Sequence, residues 1–269
     1  MAGKLDLVIR NGMLVYPEKM LMGDVGLASG KIAVIGRAGK LKGARVIDAE
    51  GRYVFPGLMD IHTHPVYLDN IEGTAHTAVW GGITTLAHYA YAKPGQSQLK
   101  VIKEWKKEGN ETSCVDFALH GGFFDTLKQS DELAGCFKEG VTSYKMFMAY
   151  AKLGWMTDDY ALVKAMDIIG RLGGMASVHS ENGLAIDYIQ DKLLAEKADF
   201  AEHFLETSPD LAEAEGVFRA VYLGRLMKCP VYIPHVSSAE TVDVMRFLRA
   251  KGARAFFETC PQYLGLTWD

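Results

Sequence analysis

The stretch Asp60-Ile61-His62-Thr63-His64-Pro65 follows a short apolar segment, Tyr53-Val54-Phe55-Pro56-Gly57-Leu58-Met59, which is typical of a buried strand. Successive side chains of a strand point to opposite faces, so His62 and His64 are expected on the same face. Two imidazoles at that spacing can hold one metal ion between them. They can also be two polar residues at the end of a strand, and the spacing alone does not separate the two interpretations.

The chain after residue 53 alternates short apolar runs with helix-like segments, which is the pattern of parallel βα units. The predicted strands cover residues 53–60, 82–88, 115–120, 141–147, 175–179, 230–235 and 254–258. This α/β pattern predicts a (β/α)8 TIM-type barrel that lacks its last strand. An open doubly wound sheet is the alternative, but no G-x-G-x-x-G or P-loop motif follows the first strand.

The first 52 residues have a different sequence pattern, with short strand-like apolar runs, turn signals and no helical periodicity. The apolar runs at 5–10, 13–16, 24–27, 31–36 and 45–48 predict a small β-sandwich or meander. The pair Asn11-Gly12 predicts a hairpin turn after the first run. We therefore predict two domains: residues 1–52 form the N-terminal part of a β-sandwich, and residues 53–269 form an incomplete barrel of about seven βα units.

Several helices between the barrel strands have clear signals. Thr157 is predicted to cap a helix that ends at Gly173. The sequence Ser237-Ser238-Ala239-Glu240 fits a capping box, and Gly252 closes the helix that follows. Another helix is predicted to face the core with an apolar stripe made of Ala214, Val217, Phe218 and Val221.

The composition is that of an ordinary globular protein, with 49% hydrophobic and 23% charged residues. The formal net charge is −4 and no basic run is present, so neither nucleic acid nor an anionic membrane is an expected partner. The N-terminus has no signal-peptide core, and no uncharged apolar run reaches the roughly 20 residues of a membrane span. We therefore expect a cytoplasmic protein whose cysteines are reduced and buried as small hydrophobic residues.

Functional groups of a barrel collect at the carboxyl ends of its strands. Besides His62 and His64, the predicted strands end at or near Lys145, His179 and His235. Imidazole is a common zinc ligand, whereas a protonated lysine offers no lone pair. Lys145 is therefore a base of lowered pKa, a Schiff-base lysine, a lysine carboxylated by carbon dioxide, or a lysine paired with an acid.

The other histidines are expected to have lesser roles. His88 and His120 end the second and third predicted strands and are expected at most to support the ligands. His76 and His203 lie in polar, helix-like stretches and are expected at the surface.

Motifs along essentially the whole chain resemble those of the cyclic amidohydrolases, in particular the hydantoinase and dihydropyrimidinase branch. The motifs are Gly57-Leu58-Met59-Asp60-Ile61-His62-Thr63-His64, Ser143-Tyr144-Lys145-Met146-Phe147-Met148-Ala149-Tyr150, Val178-His179-Ser180-Glu181-Asn182, His235-Val236-Ser237-Ser238 and Glu258-Thr259-Cys260-Pro261-Gln262-Tyr263-Leu264. The resemblance implies a metal-dependent hydrolase that opens the cyclic amide bond of hydantoin or dihydropyrimidine rings. It also implies a homotetramer.

The same resemblance implies two Zn²⁺ ions per subunit, with a hydroxide between them as the nucleophile. His62 and His64 would hold the more buried ion, and His179 and His235 the more exposed one. N6-carboxylated Lys145 would bridge both ions. Tyr150 would bind the substrate and stabilise the oxyanion.

Two alternatives stay open: an allantoinase-type hydrolase of cyclic ureides, and a noncatalytic, dihydropyrimidinase-like interaction scaffold. Allantoinases usually lack the run Met148-Ala149-Tyr150, and scaffold relatives typically lose metal ligands that are all filled here. Val66 stands where dihydroorotases usually carry an arginine for the substrate carboxylate, which disfavours such a substrate.

The resemblance further implies an eighth strand with a catalytic aspartate beyond the end of this sequence. Neither Asp243, in a predicted helix, nor the terminal Asp269 is expected to take that role, so the catalytic residue is unknown. These 269 residues alone are expected to have low activity and to associate or aggregate.

Overall fold

The structure is a computed structural model that describes residues 4–66, 69–199 and 202–267. The chain forms two compact units. One comprises the residues up to Met59 together with Trp80–Thr84, and the other comprises Asp60–Val79 and the chain from Thr85 onward. Within the described ranges we find no helix whose length and apolar character would let it span a bilayer.

The first unit contains a five-stranded sheet. Its strands are β1 (Leu5–Val15), β2 (Met20–Ala28), β3 (Lys31–Arg37), β4 (Gly43–Asp48) and β5 (Tyr53–Val54). The order is β3-β2-β1-β4, and β5 also pairs with β1. β2 is antiparallel to its two neighbours, whereas β4 and β5 run parallel to β1. The β-sandwich remains a prediction.

The predicted hairpin turn at Asn11-Gly12 is wrong, because β1 continues through both residues as one strand. The register with β2 shifts between Ile9 and Gly12, which marks a bulge. Asn11 has a φ of 55°, a left-handed conformation that asparagine tolerates better than most residues. A side chain at Gly12 would meet Val54 at 2.5 Å, so the close packing of β1 and β5 requires glycine there.

The larger sheet has seven strands. They are β6 (Leu58–Thr63), β7 (Ile83–Ala92), β8 (Asp116–Phe123), β9 (Ser143–Phe147), β10 (Met175–His179), β11 (Val231–Ile233) and β12 (Ala255–Phe257). They follow chain order across the sheet, and the neighbouring pairs from β7 to β12 are parallel. This arrangement confirms the predicted α/β class and fits an incomplete barrel.

The single strand predicted over residues 53–60 is wrong in detail. Residues 55–57 belong to no strand, so the segment divides into β5 and β6. Pro56 has no backbone N–H to donate to a sheet, which explains why pairing is interrupted at this point. The strand that carries His62 therefore starts at Leu58, five residues later than predicted.

Helices alternate with the strands of the larger sheet, as the sequence pattern predicts. They are α1 (Ile71–Trp80), α2 (Gln98–Thr112), α3 (Thr126–Gln129), α4 (Leu133–Lys138), α5 (Asp159–Leu172), α6 (Gly183–Ala195), α7 (Phe204–Thr207), α8 (Asp210–Leu226), α9 (Ala239–Ala250) and α10 (Gln262–Gly265). Short 3₁₀ helices cover Ser130–Glu132 and Ala151–Leu153.

The cap predicted for α5 is displaced by one residue. The carboxylate of Asp158 accepts a hydrogen bond from Ala161 N at 2.8 Å, so Asp158 is the cap. The hydroxyl of Thr157 instead bonds Thr126 at 2.7 Å. Gly173 ends the helix with a φ of 78°, as predicted.

The capping box predicted for α9 is also wrong in its residues. Ser238 caps the helix by accepting a bond from Thr241 N at 3.2 Å. The backbone N–H groups of Ser237 and Ser238 donate to Glu213, which comes from α8 rather than from the start of α9. A carboxylate from a neighbouring helix thus satisfies the free N–H groups of this terminus.

The core of the second unit lies between the sheet and its helices. Tyr144 and Met146 of β9 and Leu162 and Met166 of α5 are fully buried there. Burying a side chain of this kind stabilises a fold by about 1.5–3 kcal/mol. The stripe predicted on α8 is buried except at Phe218, which is 40% exposed.

The four cysteines are free thiols, as expected. Cys136 and Cys229 are buried, but Cys114 is exposed and Cys260 is half-buried, so the expectation that each cysteine is buried fails at these two positions.

Candidate functional site

The carboxyl ends of β6, β9, β10 and β11 bring together the residues that the sequence singled out. They are His62 in β6, His64 just after it, Lys145 in β9, His179 at the end of β10 and His235 shortly after β11. All lie in the second unit, at the end of the sheet formed by the carboxyl ends of its strands. Functional groups of barrel folds collect at this end.

The four histidines form two pairs. Nε2 of His62 lies 2.9 Å from Nε2 of His64, and Nδ1 of His179 lies 3.1 Å from Nε2 of His235. The pairs are adjacent, because the ring centroids of His62 and His235 are 5.7 Å apart. A single proton can join two facing imidazole nitrogens, and a cation that accepts lone pairs can take the same place.

Lys145 lies beside these pairs and is only 2% exposed. Its Nζ is 5.6 Å from the ring centroids of both Tyr89 and Phe147. Burial lowers the pKa of Lys145 to about 7, and the negative charge of Glu258 offsets only part of that effect. A large fraction of this amine is therefore neutral, and hence nucleophilic, near neutral pH.

Two carboxylates that the sequence analysis left without a role contact the imidazoles. Glu258 accepts a bond from Nδ1 of His62 and another, at 2.6 Å, from the hydroxyl of Tyr232. Glu181 accepts a bond from Nε2 of His179 at 2.7 Å. Burial raises the pKa of Glu258, but the bonds from His62 and Tyr232 outweigh it, so the pKa is lowered.

A signal for both carboxylates was present in the sequence. Glu258 ends the predicted strand 254–258, and Glu181 lies two residues beyond the strand-ending His179. The strand-end rule that selected the histidines, applied to acidic residues as well, would have selected both.

Two site residues have left-handed backbones although neither is glycine. The φ angles are 65° at Tyr150 and 45° at His235. Such conformations cost free energy in non-glycine residues and cluster at functional sites. The ring centroid of Tyr150 is 4.9 Å from that of His179, which places the predicted substrate-binding tyrosine at this pair.

His88 and His120 contact the segment that carries His62 and His64. Nε2 of His120 donates to the carbonyl oxygen of Ile61 at 3.0 Å. Nδ1 of His88 lies 2.6 Å from the hydroxyl of Thr63, which donates to the carbonyl oxygen of Ala87 at 3.0 Å. Both residues therefore hold the segment that carries His62 and His64, whereas His76 is exposed and His203 is partly exposed.

The residues present fit a metal site in which histidine pairs are the main protein ligands. Within the described ranges, no group of three or more His, Cys, Asp and Glu side chains is arranged to hold a metal. Carboxylates behind His62 and His179 match the support that metal-binding histidines usually have.

A cavity of about 500 Å³ opens onto His179 and His235. That volume is in the range of small-molecule sites. Its other lining side chains include Phe204, Leu205 and Tyr263 together with the acids Glu181, Asp210 and Glu213. The three acids place negative charge on the wall of this cavity.

Known proteins are similar to this chain over nearly its whole length. The D-hydantoinase of Rhizobium radiobacter is 35% identical over 273 residues, which covers 98% of this chain and 59% of that protein. The dihydropyrimidinase of Rattus norvegicus is 30% identical over 280 residues, covering 98% and 54% respectively. The resemblance to hydantoinases and dihydropyrimidinases is confirmed.

A solved D-hydantoinase structure superposes with a TM-score of 0.91 at 34% identity, covering 98% of this chain and 59% of that one. The α/β architecture of this chain is therefore that of the matching part of a D-hydantoinase. No family model matches the chain. The chain spans 54–59% of the length of the relatives described here.

Proposed function

We propose that this chain provides the metal-binding part of a hydrolase that opens cyclic amide rings of the hydantoin or dihydropyrimidine type. The observation that carries the proposal is the meeting of two imidazole pairs beside buried Lys145 at the strand ends. The similarity to D-hydantoinases over 98% of the chain supports the same reaction class.

In this proposal, His62 and His64 would hold one zinc ion, and His179 and His235 would hold the other. The neutral Nζ of Lys145 would add to the carbon of carbon dioxide and release one proton to solvent, and the carbamate oxygens would then be available as metal donors. Bound zinc lowers the pKa of water and so makes hydroxide available near neutral pH.

The remaining roles belong to the pocket. The hydroxyl of Tyr150 donates to the ring carbonyl oxygen as negative charge develops on it. The cavity beside His179 and His235 accommodates the ring. We also propose the division into domains at residues 1–52 and 53–269, a homotetrameric assembly and a cytoplasmic location, all of which rest on sequence patterns and resemblance.

Zinc content tests the proposal most directly. The purified chain, incubated with zinc and bicarbonate, is expected to hold about two zinc ions and to gain the mass of one carboxyl group. Lys145→Ala should lose that mass gain and most of the zinc. Lys128→Ala is the matched control, because the Lys128 side chain is 82% exposed and pairs with Asp125. Equal zinc content in wild type and Lys145→Ala would contradict the proposed ligand.

Ring-opening assays distinguish the alternatives. Hydantoin and dihydrouracil are the expected substrates, and allantoin is assayed beside them. Faster opening of allantoin would favour the allantoinase alternative. A folded, stably assembled protein that binds no zinc would favour the interaction scaffold.

A further inference from the structure

We propose that Glu258 and Glu181 assign opposite tautomers to His62 and His179, and that each carboxylate thereby orients one ligand of one imidazole pair. The metal-binding part of this inference rests on the proposed function, whereas the tautomers are properties of the metal-free protein.

His62 has its proton on Nδ1. An ionised carboxylate accepts hydrogen bonds and donates none, so the nitrogen that contacts Glu258 must carry the hydrogen. In the neutral ring this leaves the lone pair on Nε2, which lies 2.9 Å from Nε2 of His64. The lone pair of His62 therefore points to the place where the first ion would lie.

His179 has the reverse arrangement. Its Nε2 lies 2.7 Å from Glu181 and must carry the hydrogen, so its lone pair is on Nδ1. Nδ1 faces Nε2 of His235 at 3.1 Å. One site thus needs two histidines with protons on different ring nitrogens, and a different carboxylate selects each.

Each carboxylate is itself held in place by a hydroxyl group. One oxygen of Glu258 contacts His62, and the other accepts a bond from Tyr232 of β11 at 2.6 Å. Glu181 likewise contacts His179 with one oxygen and Ser208 with the other. Because both oxygens have partners, neither carboxylate can rotate away without losing a bond.

Burial distinguishes these contacts from an ordinary surface pair. The side chains of Glu258 and Glu181 are 20% and 21% exposed. By contrast, the Glu206 side chain, which contacts His203 at 2.9 Å, is 64% exposed. A hydrogen bond that is partly shielded from water selects one tautomer more strongly than a bond in solvent does.

The tautomers can be measured without metal, by two-bond ¹⁵N–¹H NMR at an alkaline pH where imidazole is neutral. Wild type is expected to show His62 with hydrogen on Nδ1 and His179 with hydrogen on Nε2. Glu258→Ala should change the His62 pattern only, and Glu181→Ala the His179 pattern only. Glu206→Ala is the control and should change neither.

Glutamine variants separate the hydrogen bond from the fold. The amide oxygen of Glu258→Gln or Glu181→Gln can still accept the imidazole hydrogen. Each glutamine variant should therefore keep the wild-type tautomer, whereas the alanine variant at the same position should not. A purely structural role of the carboxylates would not produce that difference. The inference is overturned if the alanine variants keep the wild-type tautomers, or if either variant changes both histidines equally.

Zinc affinity gives the second measurement. In chelator competition, each alanine variant should weaken one of two binding events by about 10- to 100-fold and leave the other near its wild-type value. Equal affinities for both ions in wild type and both variants would overturn the orienting role. If wild type binds no zinc, the proposed function fails, while the NMR result still decides whether the tautomers are as assigned.

Discussion

At the scale of single residues, Asp24 is the buried carboxylate of the first unit, with no exposed surface. It accepts four backbone N–H bonds of 2.8–2.9 Å, from Asn11, Gly39, Lys40 and Leu41. Asp24→Asn replaces one accepting oxygen with a donor that faces these N–H groups. We expect this change to lower the free energy of unfolding by roughly 3 kcal/mol, measured by urea denaturation.

The effect of Asp24 should also depend on pH. Burial raises the pKa of its carboxyl, but the four backbone bonds outweigh it, so the folded pKa is below the ordinary value of 3.8. The stabilisation is therefore fully present above that value and is lost as the pH falls through the folded pKa. Asp6→Asn, which alters an exposed carboxylate that accepts a bond from Ser29 N, is the control. A difference between wild type and Asp24→Asn that stays constant into strong acid would contradict this account.

At the scale of elements, Gly216 lets α8 approach the segment that follows β10. A Cβ at this position would lie 2.7 Å from the backbone of both Ser180 and Glu181. Alanine is normally better than glycine inside a helix by about 1 kcal/mol. We expect Gly216→Ala to lower the thermal unfolding midpoint nevertheless. It should also weaken the proposed zinc binding at His179, because the clash involves the backbone that directly follows this residue.

The matched control is Gly135→Ala in α4. Its Cβ would meet a side-chain atom of Leu99 at 3.0 Å, and a side chain can move where backbone cannot. This variant should be as stable as wild type or slightly more stable. If Gly216→Ala unfolds no earlier than Gly135→Ala, close packing of α8 on the backbone does not limit stability.

The order of the strands and helices could be predicted from the sequence, but their boundaries and long-range contacts could not. The alternation of strands and helices was predictable because each element buries a face whose period is visible locally. The boundaries of the elements were less predictable. Whether Ser237 or Ser238 caps α9 depends on Glu213, which is a residue of another helix. The strand-end position of Glu258 marks it as a candidate site residue, but His62 lies 196 residues away, so no local pattern specifies that these two residues pair.

At the scale of the whole second unit, a side-chain contact within the site links the two edge strands of the larger sheet. His62 belongs to β6 at one edge, and Glu258 follows β12 at the other. Removing Glu258 therefore removes a contact between the ends of the sheet as well as a partner of His62. We expect Glu258→Ala to be less stable than Glu181→Ala in urea denaturation, because Glu181 and His179 are two residues apart. Equal loss of stability in both variants would contradict a contribution from edge closure.

Buried neutral imidazoles should make the metal-free protein sensitive to mild acid. Burial lowers the pKa of His64 to about 3 and that of His120 to about 4, from an ordinary value of 6.5. The unfolded chain therefore binds more protons, so the stability present above 6.5 is lost as the pH falls toward 4. We expect the urea midpoint of the metal-free protein to fall across that window. His120→Gln should remove up to about 3 kcal/mol of the pH-dependent change. His203→Gln should not reduce this loss of stability in acid, because the hydrogen bond with Glu206 raises the pKa of His203 and its protonation therefore favours the folded state. A midpoint that stays constant across the window would show that these imidazoles are hydrated rather than buried.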